Sequence, residues 1–323
     1  MKKQLLALAV GMALVLSMAT GCEKKTKEFP QKEITVVVPW SPGGTNDLMA
    51  RALQPVFKEK FNVDLVVKNT EGGGSAVGIN EVLTAKNDGY TVGLASSSFL
   101  ALVTQGRAEA DVEKITNICS VSEEPIVLAV KAGGKFEKAE DFLAQAKTGQ
   151  VSIGVPGSNN VNQAYAMLLG QAAEADFLFM PFDGGSRVIT EILGDHVDSG
   201  VLKPSEVISQ VNAGELKVIG VFNKDGITTM PDVPTFESLG YDVFTLGEIK
   251  QASYIMAPEG VDEQVKEKLA SMFKEAVESE EFKSFAGESG MILQPLTGKE
   301  LDTYVGDIYK ALDNAGKELF AVN

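Results

Sequence analysis

Residues 34–47 read Ile-Thr-Val-Val-Val-Pro-Trp-Ser-Pro-Gly-Gly-Thr-Asn-Asp. The run Ile34-Thr35-Val36-Val37-Val38 is β-branched throughout and predicts a strand. Pro39 has no amide to give a ladder and ends it. Over 47–61 the residues Leu48, Ala52, Leu53 and Val56 share one helical face. Pro39 and Pro42 stiffen the loop between, and Gly43 and Gly44 allow close backbone approach and positive φ. Thr45, Asn46 or Asp47 can cap the helix, and the amides at its start offer an anion site. A strand, a donor-rich loop and a helix in that order make half of a crossover unit.

The same alternation continues. Strands are predicted at 65–67, 91–95, 126–130, 151–155, 177–180, 216–221 and 252–257. Helical patterns occupy 80–85, 139–146, 162–172, 186–193, 262–278 and 299–317. This order predicts an α/β fold with mixed, largely parallel sheets. Strand-like passages near 120–130 and 245–256 carry the chain to a second domain and back. The expected organisation is a discontinuous first domain over 33–124 and 252–323, a second domain over 125–251, and a cleft between them.

Composition narrows the chemistry. The 323 residues are 44% hydrophobic and 23% charged, with a formal net charge of −15. So acidic a chain repels phosphate and is a poor nucleic-acid binder. His196 is the only histidine, in a Gly-Asp-His-Val-Asp context without the spacing of a zinc site or a Ser-His-Asp triad. Cys22 and Cys119 are the only cysteines, too few for a disulfide framework. Neither a cofactor, a metal nor a catalytic residue is predicted.

At the start, Lys2 and Lys3 precede an apolar run over 5–18, shorter than the ~20 residues a spanning helix needs. It ends in Ala19-Thr20-Gly21-Cys22, which resembles a lipobox with Ala19 at the position usually held by leucine. Residues 1–22 are thus read as a lipoprotein signal with Cys22 as the lipidation site, and 23–32 as a flexible tether. A plain secretion signal with an incidental cysteine is the alternative. Removal of residues 1–21 takes away two lysines and moves the charge from −15 to −17. The expected location is extracytoplasmic, lipid-anchored at the outer face of the cytoplasmic membrane or in the periplasm.

Further loops resemble the first. Residues 69–78 hold Gly74 and Ser75 within a Gly-rich turn that has neither the Gly-Lys-Ser/Thr of a Walker loop nor a dinucleotide fingerprint. Ser96-Ser97-Ser98 is read as a loop at a strand end, contributing Ser97 and Ser98. Residues 155–163 supply Ser158, Asn159, Asn160 and Gln163, and residues 181–186 supply Asp183 and Gly184. Each alone is a tight turn with a helix cap. Together, beyond the carboxyl ends of strands, they suit a small anion. With Trp40, Pro42, Gly43, Gly44, Thr45, Asn46 and Asp47 they form the candidate ligand site, built of amides and hydroxyls rather than lysines or arginines. Trp40, the only tryptophan, either props the loop from beneath or packs on an apolar part of the ligand.

Four landmarks carry a family resemblance. They are Pro39, Pro42, Gly43, Gly44, Asp47, Ala50 and Arg51; Asn69 through Gly78; Asp88-Gly89-Tyr90-Thr91; and Pro231-Asp232-Val233-Pro234-Thr235 with Glu237 and Gly240. The chain resembles the substrate-binding proteins of tripartite tricarboxylate transporters, the Bug-type extracytoplasmic solute receptors. The resemblance implies a two-domain Venus-flytrap fold of the periplasmic-binding-protein kind. It also implies a small organic carboxylate in the cleft (a di- or tricarboxylate, or an aromatic or amino acid), delivery to an integral-membrane permease, and no enzymatic activity. The chain departs from the family's Gly-x-Gly-Ser-x-x-His loop, with Asn160 and Gln163 at the Ser and His positions. Asp183 stands where a basic residue is usual. Both changes lower positive potential in the second domain's half of the cleft and leave the ligand open. The alternative function is a secreted lipoprotein hydrolase acting through a carboxylate pair.

Overall fold

The computed structural model describes residues 28–108, 112 and 115–320. The leader, Cys22 and residues 23–27 of the tether lie outside the described residues. From Lys32 onward the described chain folds as one unit. β1 (Ile34–Val38) leads into α1 (Thr45–Phe61), β2 (Leu65–Asn69), α2 (Ala76–Leu83) and β3 (Thr91–Ser96). α3 (Ser97–Thr104) follows directly, then β4 (Thr116–Glu124) and β5 (Val127–Lys131). Next come α4 (Ala139–Thr148), β6 (Val151–Pro156), α5 (Val161–Ala173), β7 (Phe177–Phe182), α6 (Gly185–Leu193), β8 (Ser199–Leu202), α7 (Pro204–Asn212) and β9 (Leu216–Val221). β10 (Gln251–Ala257), α8 (Glu263–Val277), α9 (Glu280–Ser289), β11 (Ile292–Leu293) and α10 (Gly298–Leu319) complete the order.

The strands form two mixed sheets, ordered β11-β4-β10-β3-β1-β2 and β7-β6-β8-β5-β9. Parallel pairing joins β1 to β2 and β3, and β6 to β7 and β8. The strands by which the chain passes between sheets pair antiparallel: β10 with β3 and β4, and β5 with β8 and β9. β10 is buried along its whole length, as its apolar run requires of a central strand. β2, at a sheet edge, alternates between inside and outside. Aromatic contacts close the core, with ring centroids 4.7 Å apart for Phe57 and Phe273 and 4.5 Å for Phe222 and Phe236.

Local chemistry fixes the helix ends. α1 stops at Asn62, whose left-handed φ of 53° returns its amide to Lys58 and Phe57. α9, which apolar periodicity alone did not suggest, is started by Ser279, whose side chain accepts from the Phe282 amide. Three local expectations change. Ser96-Ser97-Ser98 is not a loop, because Ser96 caps α3 and Ser97 is already helical. The helix expected over 80–85 starts earlier, at Ala76. Of the first loop's glycines only Gly43 has positive φ, at 82°, whereas Gly44 sits at −77° as the cap of α1. Cys119 is buried and free, and burial pushes its thiol up to about 12. His196 is exposed, with Nδ1 2.7 Å from Glu191 Oε2.

Candidate functional site

Five parallel-strand ends, those of β1, β3, β6, β7 and β8, open into one gap. It holds a cavity of about 30 Å3 bounded by Trp40, Gly44, Thr45, Asn46, Ser96, Ser98, Pro156, Asn162, Gly184, Gly185, Lys203, Glu206 and Gln251. Trp40 through Asn46, Ser96, Ser98 and Gln251 come from the first sheet's side, and the others from the second. The two sides touch. Ser41 Oγ lies 3.1 Å from Ser186 Oγ, and Ser186 Oγ donates to the Pro42 carbonyl at 3.2 Å. Thr45 Oγ1 lies 2.9 Å from Ser205 Oγ in a buried contact.

Of the expected ligand residues, Trp40, Gly44, Thr45, Asn46, Ser98 and Gly184 bound the cavity. The rest serve the loops themselves. Asp47 accepts from the Gly43 amide and from Arg51 Nε, both at 2.9 Å. Ser97 Oγ donates to the Lys250 carbonyl at 2.7 Å and accepts from the Ala252 amide at 2.9 Å, which ties α3 to the start of β10. Asn160 caps α5 by accepting from the Gln163 amide, and Gln163 accepts from the Asn159 amide. Ser158 receives Arg107 at its hydroxyl and carbonyl, both at 3.1 Å. Ser75 is buried at φ 93° beside Gly74, and Asp183 is exposed. Pro42 and Gly43 form the exposed tip of the first loop.

Asp47 gives a pH dependence. Burial alone would raise its carboxyl, but hydrogen bonds from Arg51, Gly43 and Asn69 outweigh it and hold the group below the ordinary value of 3.8. A carboxyl depressed by folding contributes stability above its unfolded value and loses it as pH falls through the folded one. Asp47→Asn is therefore expected to lower stability by about 1–2 kcal/mol near neutrality and to flatten the acid limb of the stability curve below pH ~4. Urea melts of both proteins at pH 3 and pH 7 would reveal equal slopes if this reading were wrong.

The residues missed from the sequence change the character of the site. Lys203 and Glu206 both bound the cavity, so it is not built of neutral donors alone. Lys203 is 5% exposed, with Nζ 3.9 Å from Oε1 of the fully buried Glu124. Neither oxygen of Glu124 makes a well-formed hydrogen bond, although the Ser205 amide and hydroxyl lie beside the carboxyl and favour its charged form. The Lys203 amide donates to Glu206 Oε2 at 2.9 Å, and the Thr45 amide and hydroxyl lie beside that carboxyl and favour its charged form. A Cβ placed on Gly185 would lie 2.2 Å from Glu206 Oε1. The Glu206 carboxyl thus sits where the starts of α1, α6 and α7 meet. Burial pushes the carboxyls of Glu206 and Glu124 up, opposed in both by the charge of Lys203. Signals were present: Lys203-Pro204-Ser205-Glu206 places proline at the first and glutamate at the third position of a helix. Gln251 also bounds the cavity, and its buried Oε1 has no partner.

Two mixed α/β sheets whose strand ends enclose a small polar cavity make a fold of the periplasmic-binding-protein type. Residues 49–310 match the tripartite tricarboxylate transporter family receptor profile. The chain belongs to this family of extracytoplasmic solute receptors. It is 26% identical over 258 residues to protein BugT of Bordetella pertussis, a match covering 78% of each chain. The solved periplasmic binding protein BugD is similar with a TM-score of 0.84 and 21% identity, over 90% of this chain and 98% of that one. MatC of Rhodopseudomonas palustris, solved with bound malate, gives a TM-score of 0.79 at 20% identity, over 89% and 100%.

Proposed function

We propose that this receptor captures a small organic carboxylate in the gap between its two sheets and delivers it to the membrane permease of a tripartite tricarboxylate-type transporter. The observation that carries this reading is the convergence of five strand ends on one polar cavity. Anions gather at such helix starts because unpaired amides and the helix dipole both favour them. The malate bound to MatC is a ligand of the same chemistry in a chain of the same fold. In this proposal residues 33–124 with 252–323 form one domain and 125–251 the other, and the pair closes on the solute as a hinge. A thermal-shift screen over mono-, di- and tricarboxylates tests it. A true ligand at 100 times its Kd stabilises the fold by ~2.7 kcal/mol. The ligand should also be recovered unchanged, and its turnover would replace the receptor by an enzyme.

The receptor is further proposed to be held at the membrane by a lipid on Cys22. Cys22→Ser is expected to abolish acylation and either release the protein or leave its precursor uncleaved. Mass spectrometry of the wild-type amino terminus decides, and an unlipidated terminus elsewhere defeats the idea.

A further inference from the structure

Glu206 has an unusual position for an acidic residue in a site that is to receive acids. Its Oε2 takes the Lys203 amide at 2.9 Å, and the Thr45 amide and hydroxyl lie beside the same carboxyl. Oε1 lies against Gly185, where even a methyl group would come within 2.2 Å. Three helices of nine residues or more, α1, α6 and α7, begin around this one group. Each helix start carries roughly half a positive charge. Where amides and dipoles converge like this, a ligand carboxylate would be held, and a side chain of the protein fills the place. What remains of the cavity, about 30 Å3, is bounded by Lys203, Gln251, Ser98 and Asn46. Among the cavity-bounding residues Lys203 is the only cation, and two protein carboxyls, Glu124 and Glu206, already face it or its helix start.

We propose that Glu206 occupies one of the cleft's anion subsites, so that the receptor takes a monocarboxylate, set against Lys203, in preference to a dicarboxylate. This rests on the reading of the cleft as the solute site. A second ligand carboxylate would meet two protein carboxyls with a single lysine to balance them in a place removed from water, where uncompensated charge is costly. Gln251 defines the neighbour of the bound carboxylate. Its Oε1 is buried without a partner and bounds the cavity, so it accepts from a hydroxyl or amino group on the ligand. Glu206 is therefore a specificity residue that acts by being where the second carboxylate would go.

Matched acids test this, each dicarboxylate being the monoacid with one carboxylate added: lactate against malate, and 2-hydroxybutyrate against 2-hydroxyglutarate. Isothermal titration of the wild type is expected to give at least tenfold tighter binding of the monoacid in the pairs that bind. Glu206→Ser vacates the subsite and is expected to raise affinity for the dicarboxylate at least tenfold. Lys203→Gln is expected to weaken the monoacid by tenfold or more, with melting curves of both variants as the control for folding. If Glu206→Ser does not fold, the wild-type preference and the Lys203→Gln loss decide together. Equal or tighter binding of the dicarboxylate by the wild type overturns the assignment of Glu206 while leaving the solute site intact. So does a folded Glu206→Ser with unchanged dicarboxylate affinity. Binding of none of the four acids by the wild type overturns this proposal, and the wider carboxylate screen then decides the solute-site reading.

Discussion

Gly184→Ala is expected to leave the receptor folded but less able to close on its ligand. Gly184 has a φ of 155° and a ψ of 168°, a region that glycine alone occupies readily. A Cβ there would lie 2.3 Å from Ser41 Oγ and 3.4 Å from the Ser41 amide nitrogen, on the opposite side of the gap. Overlap in a packed contact costs about 1–3 kcal/mol, and backbone strain at such a residue adds a cost of the same order. Only the overlap is specific to closure, because the strain is present in every conformation of the loop. Ser41 Oγ turns aside only by giving up its 3.1 Å contact with Ser186 Oγ across the gap, and if ~1.4 kcal/mol of that falls on the closed state, solute affinity drops about tenfold. Gly44→Ala is the contrast. Its φ of −77° suits alanine, and its Cβ would meet the Ser41 carbonyl at an ordinary 3.5 Å. Affinity there should stay within about threefold of wild type. At a ligand concentration only a few times the wild-type Kd, small-angle scattering should show contraction of the wild type and Gly44→Ala and less of Gly184→Ala. Wild-type affinity in Gly184→Ala would remove the Ser41–Gly184 contact from the closing mechanism.

Gly78→Ala should instead strike the fold. Gly78 lies in α2, and a Cβ on it would come 2.6 Å from the Thr70 carbonyl oxygen and 2.8 Å from Pro39 Cα. Both neighbours are backbone, so neither swings aside as a side-chain tip does. The helix must move off the end of β1, the strand that leads into the first loop at the cavity. The expected loss is ~3 kcal/mol, or roughly 6–10 °C in melting temperature for a domain of this size. Calorimetry of the variant checks it, and a shift below 2 °C would mean that α2 adjusts at little cost.

The parts of this fold that were legible from sequence are those where short-range chemistry and final position agree. β1, with five β-branched residues and a proline behind it, is read correctly to the residue. The loop after it was recognisable because glycine, proline and capping residues each have one physical use there. Ser97 shows where such reading stops. A serine run after a strand looks like a loop until Ser97 is seen bonding Lys250 and Ala252, more than 150 residues away, from the first turn of a helix. The cavity's charges were missed for a related reason. Lys203 reads as a solvated lysine before a proline, and only the juxtaposition of α7 with Glu124 of β4 buries it. Glu206 could be read as a helix-start residue, but nothing local says that the starts of α1 and α6 would share it. Asn160 and Gln163 show a second use for such residues. They have the composition of ligand groups and also hold their own loop, Asn160 accepting from the Gln163 amide and Gln163 from the Asn159 amide.

Cys119 gives the molecule a practical property. Its thiol is buried and its proton held to about 12, so it offers almost no thiolate to a reagent at neutral pH. With Cys22 acylated or replaced by serine, a cysteine introduced at exposed Asp183 and another on the exposed flank of α1, at Glu59, would be the reactive pair. Two spin labels there would report the spacing across the gap as a distribution of distances, read solute by solute, without removing any native residue from the core.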